Sequence, residues 1–409
     1  MAQHLGSPAE PVVAPGDKVL VGSVIGRPSG FLSAFVHSPY SGTVESVGPY
    51  ADLSGNMVTH VAIRVEGDTW LDGIDRDAPF SYHTDLSPEQ IVGRVRNAGI
   101  VGLGGAAFPT HVKIVPPPGK KAECLILNGA ECEPFLTSDD RLMREFPREI
   151  LAGAGFLMKA LGVSICYVGI EDNKPEAIAA LREAASAMVC IKVVKLKKKY
   201  PQGGEKQLIN AILRRSVPSG GLPIDVGAVV QNVGTAFAVY EAVAKNKPLI
   251  DNVLTYTGLG IREPENLRVR VGTPLRSLID AAGGLPQGDV KVISGGPMMG
   301  KAVANLDATT LKATASVLVM TASETLREEE GDCIRCGKCA DACPMGLKPY
   351  LLNTLSRRGG MQAGLEEAHI CDCIECGCCL YTCPAHIPLL DIIRVSKAEV
   401  MKIIRSRKK

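Results

Sequence analysis

Eight cysteines near the C-terminal end have the types and spacing of a redox centre. Residues 333–344 read CIRCGKCADACP and residues 373–384 read CIECGCCLYTCP, each a C-x2-C-x2-C-x3-C-P run. Two-residue gaps let a tight loop wrap three thiolates around one small volume. The fourth Cys of such a run cannot fold back onto the same volume and ligates the other cluster. The pattern predicts two [4Fe–4S] clusters with crossed ligands. Cys333, Cys336, Cys339 and Cys383 hold the first; Cys373, Cys376, Cys379 and Cys343 hold the second. A zinc module would be built from two C-x2-C pairs and would need neither the third Cys nor the closing Cys-Pro. Cys371 and Cys378 lie outside the pattern and are read as non-ligands. A chain with these sites moves single electrons.

Two other motifs carry chemistry. GLGGAAFPTHVK (102–113) contains Gly102, Gly104 and Ala107 in a G-x-G-x-x-A arrangement, which alone would suggest a dinucleotide fingerprint. That fingerprint must follow a strand and open a helix. Here a helical segment precedes it, and Pro109 falls where the fingerprint's helix would be under way, at a cost of roughly 3 kcal/mol. The glycines instead let the backbone approach a flat ring or a phosphate and offer it N–H groups, with Lys113 available to the phosphate. A plain Gly-rich turn is the competing reading. NGAECEP (128–134) puts Asn128, Glu131 and Glu133 at the end of a strand, the place where open α/β sheets bind ligands. Two carboxylates beside an amide suit ribose hydroxyls or nicotinamide; otherwise this is a polar loop.

Those motifs need a scaffold, and 409 residues leave room for two to four domains. A net charge of +2 with no strongly basic domain argues against nucleic acid as the main partner, as do the few aromatics (4%). Eight of the fourteen Cys sit in motifs that need reduced thiolates, which implies a reducing compartment. The opening MAQHLGSPAEPVV lacks the basic and apolar regions of a signal peptide, and no apolar run is long enough to span a membrane. Membrane association would come through a partner.

Residues 1–75 read as an all-β module of short apolar segments separated by Gly, Pro, Ser and Asp. Its GDKV and SPYSGTV elements resemble a biotinyl/lipoyl-type sandwich. The stretch GRPSGFLSAF carries no Lys at the hairpin tip, so the module is structural rather than a carrier. Residues 76–247 alternate helix and strand, the α/β signature. A helix begins at Ser87, with Pro88 at N1, Gln90 closing a capping box and Gly99 ending it. Strands follow at 122–128, 164–170, about 189–196 and 227–233, with helices at 148–162, 174–188, 205–215 and 235–245. Residues 248–326 read as a small α+β module resembling a β-grasp ligand-binding domain, with 312–322 as a linking strand or pair. Residues 327–409 form a helical cluster domain with helices at 348–358 and 387–405, and a solvated basic tail, RSRKK. Lys197, Lys198 and Lys199 are read as a solvated strand end.

GLGGAAFPTHVK, NGAECEP, YPQGGEK (200–206) and VVQNVGT (229–235) resemble the flavin-bearing, NADH-binding subunit of respiratory complex I. Taken with the N-terminal module, GGPMMG (295–300) and the two cysteine runs, nearly the whole chain resembles the family of C subunits of Rnf electron-transport complexes. The resemblance implies four domains: a β sandwich, an α/β flavin- and NADH-binding domain, a β-grasp domain of the SLBB type and a ferredoxin-like two-cluster domain. It implies FMN surrounded by Gly102, Gly104, Gly105, Lys113, Asn128, Gly204, Glu205, Gln231 and Asn232, with Lys206 in the same motif. Ala106, Phe108, Glu133 and Glu205 would face NAD(H), Phe108 by stacking, and Glu131 would lie between the two cofactors. Family members carry a Gly-Gly-x-His-Pro segment upstream of QHLGSPAEPVV, so a first strand of the N-terminal module is expected outside this sequence.

The function implied is electron transfer among NAD(H), FMN and two [4Fe–4S] clusters in an Rnf-type ferredoxin:NAD+ oxidoreductase. The protein would be peripheral on the cytoplasmic face, with a ferredoxin-like iron–sulfur subunit as one of its partners. Two alternatives stand beside it. One is a stand-alone NADH-dependent corrinoid reductase, whose relatives lack the N-terminal β module. The other is a non-catalytic iron–sulfur wire or scaffold with a degenerate flavin site.

Overall fold

The computed structural model describes residues 1–407; Lys408 and Lys409 of the basic tail lie outside the described residues. Residues 10–65 form two three-stranded sheets. One joins Glu10–Pro11, Val24–Arg27 and Val36–His37; the other joins Lys18–Val19, Gly42–Ala51 and Met57–Val65. Val19, Ile25, Val36 and Val44 fill the space between them. The module is tied to the rest of the chain by hydrogen bonds. Lys312 Nζ donates to Phe35 O (2.6 Å) and Gly99 O (2.7 Å), and Leu5 N donates to Ala107 O at 3.0 Å.

The second domain is built on a parallel sheet in the order Ala228–Asn232, Cys124–Gly129, Cys166–Glu171, Ile191–Leu196. Alternate side chains of its central strand enter two cores. Leu125 and Leu127 pack under the helices Pro147–Leu161 and Val233–Lys245, while Cys124 and Ile126 pack against Glu205–Leu213. That is the period of two expected of a strand covered on both faces. The helix Pro88–Asn97 starts as its sequence predicts: Gln90 N donates to Ser87 Oγ (3.3 Å) and Ser87 N to Gln90 Oε1 (2.7 Å). The helix Val233–Lys245 begins two residues earlier than expected, because Asn232 Oδ1 caps it by accepting from Gly234 N at 2.8 Å. A helix at Ser138–Glu145 is an addition to the expected elements. Its SDDRLMRE sequence is strongly polar and buries little beyond Leu142 and Met143.

The third domain corrects one expectation. Residues 312–322 do not link two domains: Ser316–Thr321 is the central strand of a five-stranded sheet. It lies parallel to Asp251–Thr257 and antiparallel to Val290–Ser294. Val317, Leu318 and Val319 are fully buried. A strand covered on both faces reads as one apolar run, so the alternation that would have marked it is missing. Edge strands Glu265–Arg270 and Lys301–Ala302 complete the sheet.

The last domain packs Pro349–Arg358, Gln362–Glu367 and Leu389–Arg407 around Leu352, Leu365, Ile370 and Ile393, with the cysteine loops against them. Among the described residues no helix is long and apolar enough to cross a membrane.

Candidate functional site: a glycine-rich cradle and a thiol cage

The two cysteine runs follow one backbone path. Arg335 and Glu375 both have positive φ (56° and 58°), as do Gly337 and Gly377 (78° and 79°). Each loop turns twice through the left-handed region to bring its cysteines round. Cys373, Cys376 and Cys379 of the second run line a single cavity together with Cys343 of the first. Leu347, Leu352, Leu390 and Ile393 make its wall apolar. Cys383 of the second run sits beside Cys339 of the first. The structure thus brings together the whole of one crossed set and the crossing pair of the other. Burial, then the neighbouring Cys373, Cys376 and Cys343, pushes the Cys379 thiol up to about 12. Thiolates in so apolar a space need a cationic partner, and four cysteines lining one cavity match the ligand count of an iron–sulfur cluster. Lys397 Nζ fixes the second loop by donating to Cys373 O (2.7 Å) and Glu375 Oε1 (2.8 Å). Cys333 and Cys336 are exposed. Cys378, outside the predicted set, lines the same cavity as Cys379, whereas Cys371 lies in the turn Ile370–Asp372.

The glycine-rich segment is a loop, not a strand-to-helix fingerprint: it follows the helix Pro88–Asn97 and enters only the short turn Thr110–Lys113. Gly102 N donates to Phe108 O at 2.8 Å and pins the loop's base. Gly104, Gly105 and Ala106 at its crest are exposed, and Phe108 is half-buried. Gly105 has φ +108°, and a Cβ there would meet nothing within 4 Å. Open space therefore lies over a backbone that only glycine adopts readily. Lys113 Nζ reaches Glu205 Oε1 (2.6 Å) and Val230 O (3.0 Å), joining two of the expected cofactor residues. Asn128 Nδ2 donates to Gly203 O (2.9 Å), holding the strand end to the loop before Gly204. Gln231 is 3% exposed and its Nε2 has no hydrogen-bond partner among the described residues. An orphaned buried donor next to Asn232, which a Cβ on Gly104 would touch at 3.5 Å, fits a polar ligand at that strand end.

Three expected residues also make contacts within the protein. Glu131, expected between the two cofactors, accepts from Asp139 N (2.9 Å) and Asp140 N (3.3 Å) and pairs with Lys174 (3.1 Å). Its carboxylate caps the start of Ser138–Glu145, where the helix dipole favours an anion. Lys206 Nζ donates to Pro218 O at 3.4 Å. Glu133 accepts from Met298 N (3.1 Å) and Met299 N (2.7 Å), so the GGPMMG loop of the third domain is clamped on it. The fit is close: a Cβ on Gly296 would lie 2.2 Å from Glu133 Oε2. Burial raises the Glu133 pKa against the pull of those two N–H groups.

Several residues of the site escape sequence reasoning. Asp139 accepts from Asn232 Nδ2 at 2.7 Å, and burial, with Glu131 beside it, pushes its pKa up to about 7. Tyr200 and Gln207 reach the cluster domain: Tyr200 Oη donates to Cys376 O (2.7 Å), and Gln207 Nε2 donates to Met345 Sδ (3.0 Å). The available signal was their place in and beside YPQGGEK.

Comparison with known families matches every part of this layout. Residues 1–68 match the RnfC barrel sandwich hybrid domain and 95–241 the Nuo51 FMN-binding domain. Residues 254–302 match the SLBB domain and 325–384 a 4Fe-4S dicluster domain. The C subunit of the proton-translocating ferredoxin:NAD(+) oxidoreductase complex of Clostridium ljungdahlii is 47% identical over 398 residues, spanning 97% of this chain and 86% of that one. The chain belongs to this family of Rnf-complex C subunits. A second member, from the Na(+)-translocating complex of Acetobacterium woodii, is 45% identical over 98% of this chain and 90% of its own. A third, from the ion-translocating oxidoreductase complex of Rhodobacter capsulatus, is 42% identical over 98% of this chain and 77% of its own. The fold of this Rnf-family chain also resembles an NAD+-reducing [NiFe]-hydrogenase structure, with TM-score 0.53 and 20% identity over 76% of this chain and 63% of that one.

Proposed function

We propose that this chain carries electrons between NAD(H) and the rest of an Rnf-type, ion-translocating ferredoxin:NAD+ oxidoreductase, using FMN and two [4Fe–4S] clusters. The observation that carries the reading is the packing, within one chain, of the Cys343/Cys373/Cys376/Cys379 cage against the segment that also supplies Gly204 and Glu205 to the cradle. FMN supplies the chemistry that joins the two ends, because it exchanges a hydride with nicotinamide and passes on single electrons.

The chain's own residues bind and orient. Gly104 and Gly105 present backbone N–H groups to the flavin while Gly102 lines the base of the loop beneath it, Gln231 turns its free Nε2 to it, and Asn128 and Asn232 hold the strand ends in place. Lys113 meets the flavin phosphate in exchange for part of its contact with Glu205. Ala106 and Phe108 face the nicotinamide nucleotide, with Glu133 and Glu205 as its polar partners. The domain limits are 1–75, 76–247, 248–326 and 327–409, the third a β-grasp unit that includes Ser316–Thr321. Partner subunits, one of them a ferredoxin-like iron–sulfur protein, hold the chain at the cytoplasmic face of the membrane.

The test is cofactor content and electron parity. Anaerobically purified protein should hold FMN and about eight irons per chain, as two four-iron clusters require. NADH should bleach the clusters. Flavin-free protein should keep its iron, resist NADH and still bleach with dithionite. Bleaching by NADH at an undiminished rate without flavin would overturn the proposal. The match of residues 1–68 to the RnfC module speaks against a stand-alone corrinoid reductase, whose relatives lack that module. The open cradle and orphaned Gln231 donor speak against a flavin-free wire.

A further inference from the structure

We infer that Tyr200 and Gln207 are positioning residues that lock the Cys343/Cys373/Cys376/Cys379 cage onto the α/β domain and set the electrostatics of that cage alone. The inference rests on the cluster assignment proposed above and goes beyond it to residues that touch neither flavin nor sulfur ligand side chains.

Both residues flank the loop that carries Gly204 and Glu205, and both face the cage. Tyr200 Oη donates to the carbonyl of Cys376 at 2.7 Å, and Tyr200 is half-buried while Cys376 is 8% exposed. Gln207, in the first turns of Glu205–Leu213, donates to Met345 Sδ (3.0 Å) and lies 3.5 Å from Pro344 O. Pro344 and Met345 directly follow Cys343, the ligand contributed by the other run. The two contacts therefore seize the cage at both of its halves. Met298 of the GGPMMG loop closes the third side: a Cβ on Gly377 would lie 3.0 Å from Met298 O. The other cage has exposed Cys333 and Cys336 and receives neither Tyr200 nor Gln207.

A phenol dipole with its positive end turned toward a ligand's carbonyl stabilises added negative charge nearby, and hydrogen bonds and burial are the levers that set cluster potentials. Removing the hydroxyl while keeping the ring should make one cluster harder to reduce and leave the other alone.

The experiment is a potentiometric titration, followed by electron paramagnetic resonance, of the full chain and of Tyr200→Phe and Gln207→Ala. The two signals are assigned with Cys333→Ala, which perturbs the exposed cage. Tyr200→Phe is expected to keep full FMN and iron and to shift the midpoint of the buried-cage cluster to more negative potential. Gln207→Ala should alter the line shape of the same signal. Wild-type protein without two clusters would overturn the functional reading itself. Wild-type protein with both clusters, and a Tyr200→Phe protein whose midpoints are unmoved or whose exposed-cage cluster shifts instead, would overturn this inference alone.

Discussion

Glu133 and Met299 join two domains through one hydrogen bond of 2.7 Å, with Met298 N adding a second to the same carboxylate at 3.1 Å. The expected nucleotide contact is thus also the anchor of the GGPMMG loop. Glu133→Gln keeps the shape and removes the charge. Since a hydrogen bond to a charged group is worth about 1.5–3 kcal/mol, the loop should loosen and the Michaelis constant for NADH should rise by roughly tenfold or more. FMN should stay bound, which flavin fluorescence after gel filtration will report. Loss of flavin from this variant would mean that Glu133 belongs to the flavin site.

Lys113 tests the other side of the cradle. Its ammonium is held by Glu205 and Val230 O and is half-exposed, ready to meet an anion. Lys113→Ala should lose FMN on dilution, with a dissociation constant raised by one to two orders of magnitude, at roughly 1.5–3 kcal/mol for a charge-assisted contact. Equilibrium dialysis against FMN measures this directly. An unchanged constant would remove Lys113 from the phosphate.

Ligand crossing makes a paired prediction. Cys343→Ala should destroy the cluster held by the second run, because Cys343 lines the cavity of Cys373, Cys376 and Cys379. Cys339→Ala should destroy the other. Cys371→Ala and Cys378→Ala should leave about eight irons per chain. Mössbauer or paramagnetic resonance spectra that show the reverse assignment would break the crossed pattern.

Stability should depend on pH through Lys312. Burial alone pulls its pKa from 10.5 to about 7. The unfolded chain then binds more protons than the folded chain between those values. Stability should therefore rise as pH climbs from about 7 toward 10, and fall on the way back down until it levels off below 7. Its titratable neighbours are the Met1 amino group, lowered to about 6, His4, also lowered, and His37, lowered to about 3. All three are largely neutral across that window. Thermal unfolding at stepped pH should show the rise in the wild type and a flatter profile in Lys312→Met, even though that variant leaves Phe35 O and Gly99 O without their donor.

What the sequence disclosed follows from local physics. The capping box at Ser87 is a short-range pattern and forms as written, and the second cysteine run brings Cys373, Cys376 and Cys379 to one cavity with Cys343. What it concealed depends on distant partners. Ser316–Thr321 looked like a connector because its neighbours in the sheet are about sixty residues upstream and about twenty-five upstream. Nothing local announces that Lys174 and the start of Ser138–Glu145 hold the Glu131 carboxylate. Tyr200 looked like the edge of a loop until the cluster domain folded back onto it.

The unequal exposure of the cages sets an order of damage. Dioxygen can reach Cys333 and Cys336 from solvent, whereas Cys376 and Cys379 are buried behind Leu347, Leu390 and the α/β domain. A preparation handled in air should therefore pass through a half-depleted form that keeps the inner four irons. Such a form would hold about half the iron of the intact protein, all of it in the cage beside Tyr200 and Gln207.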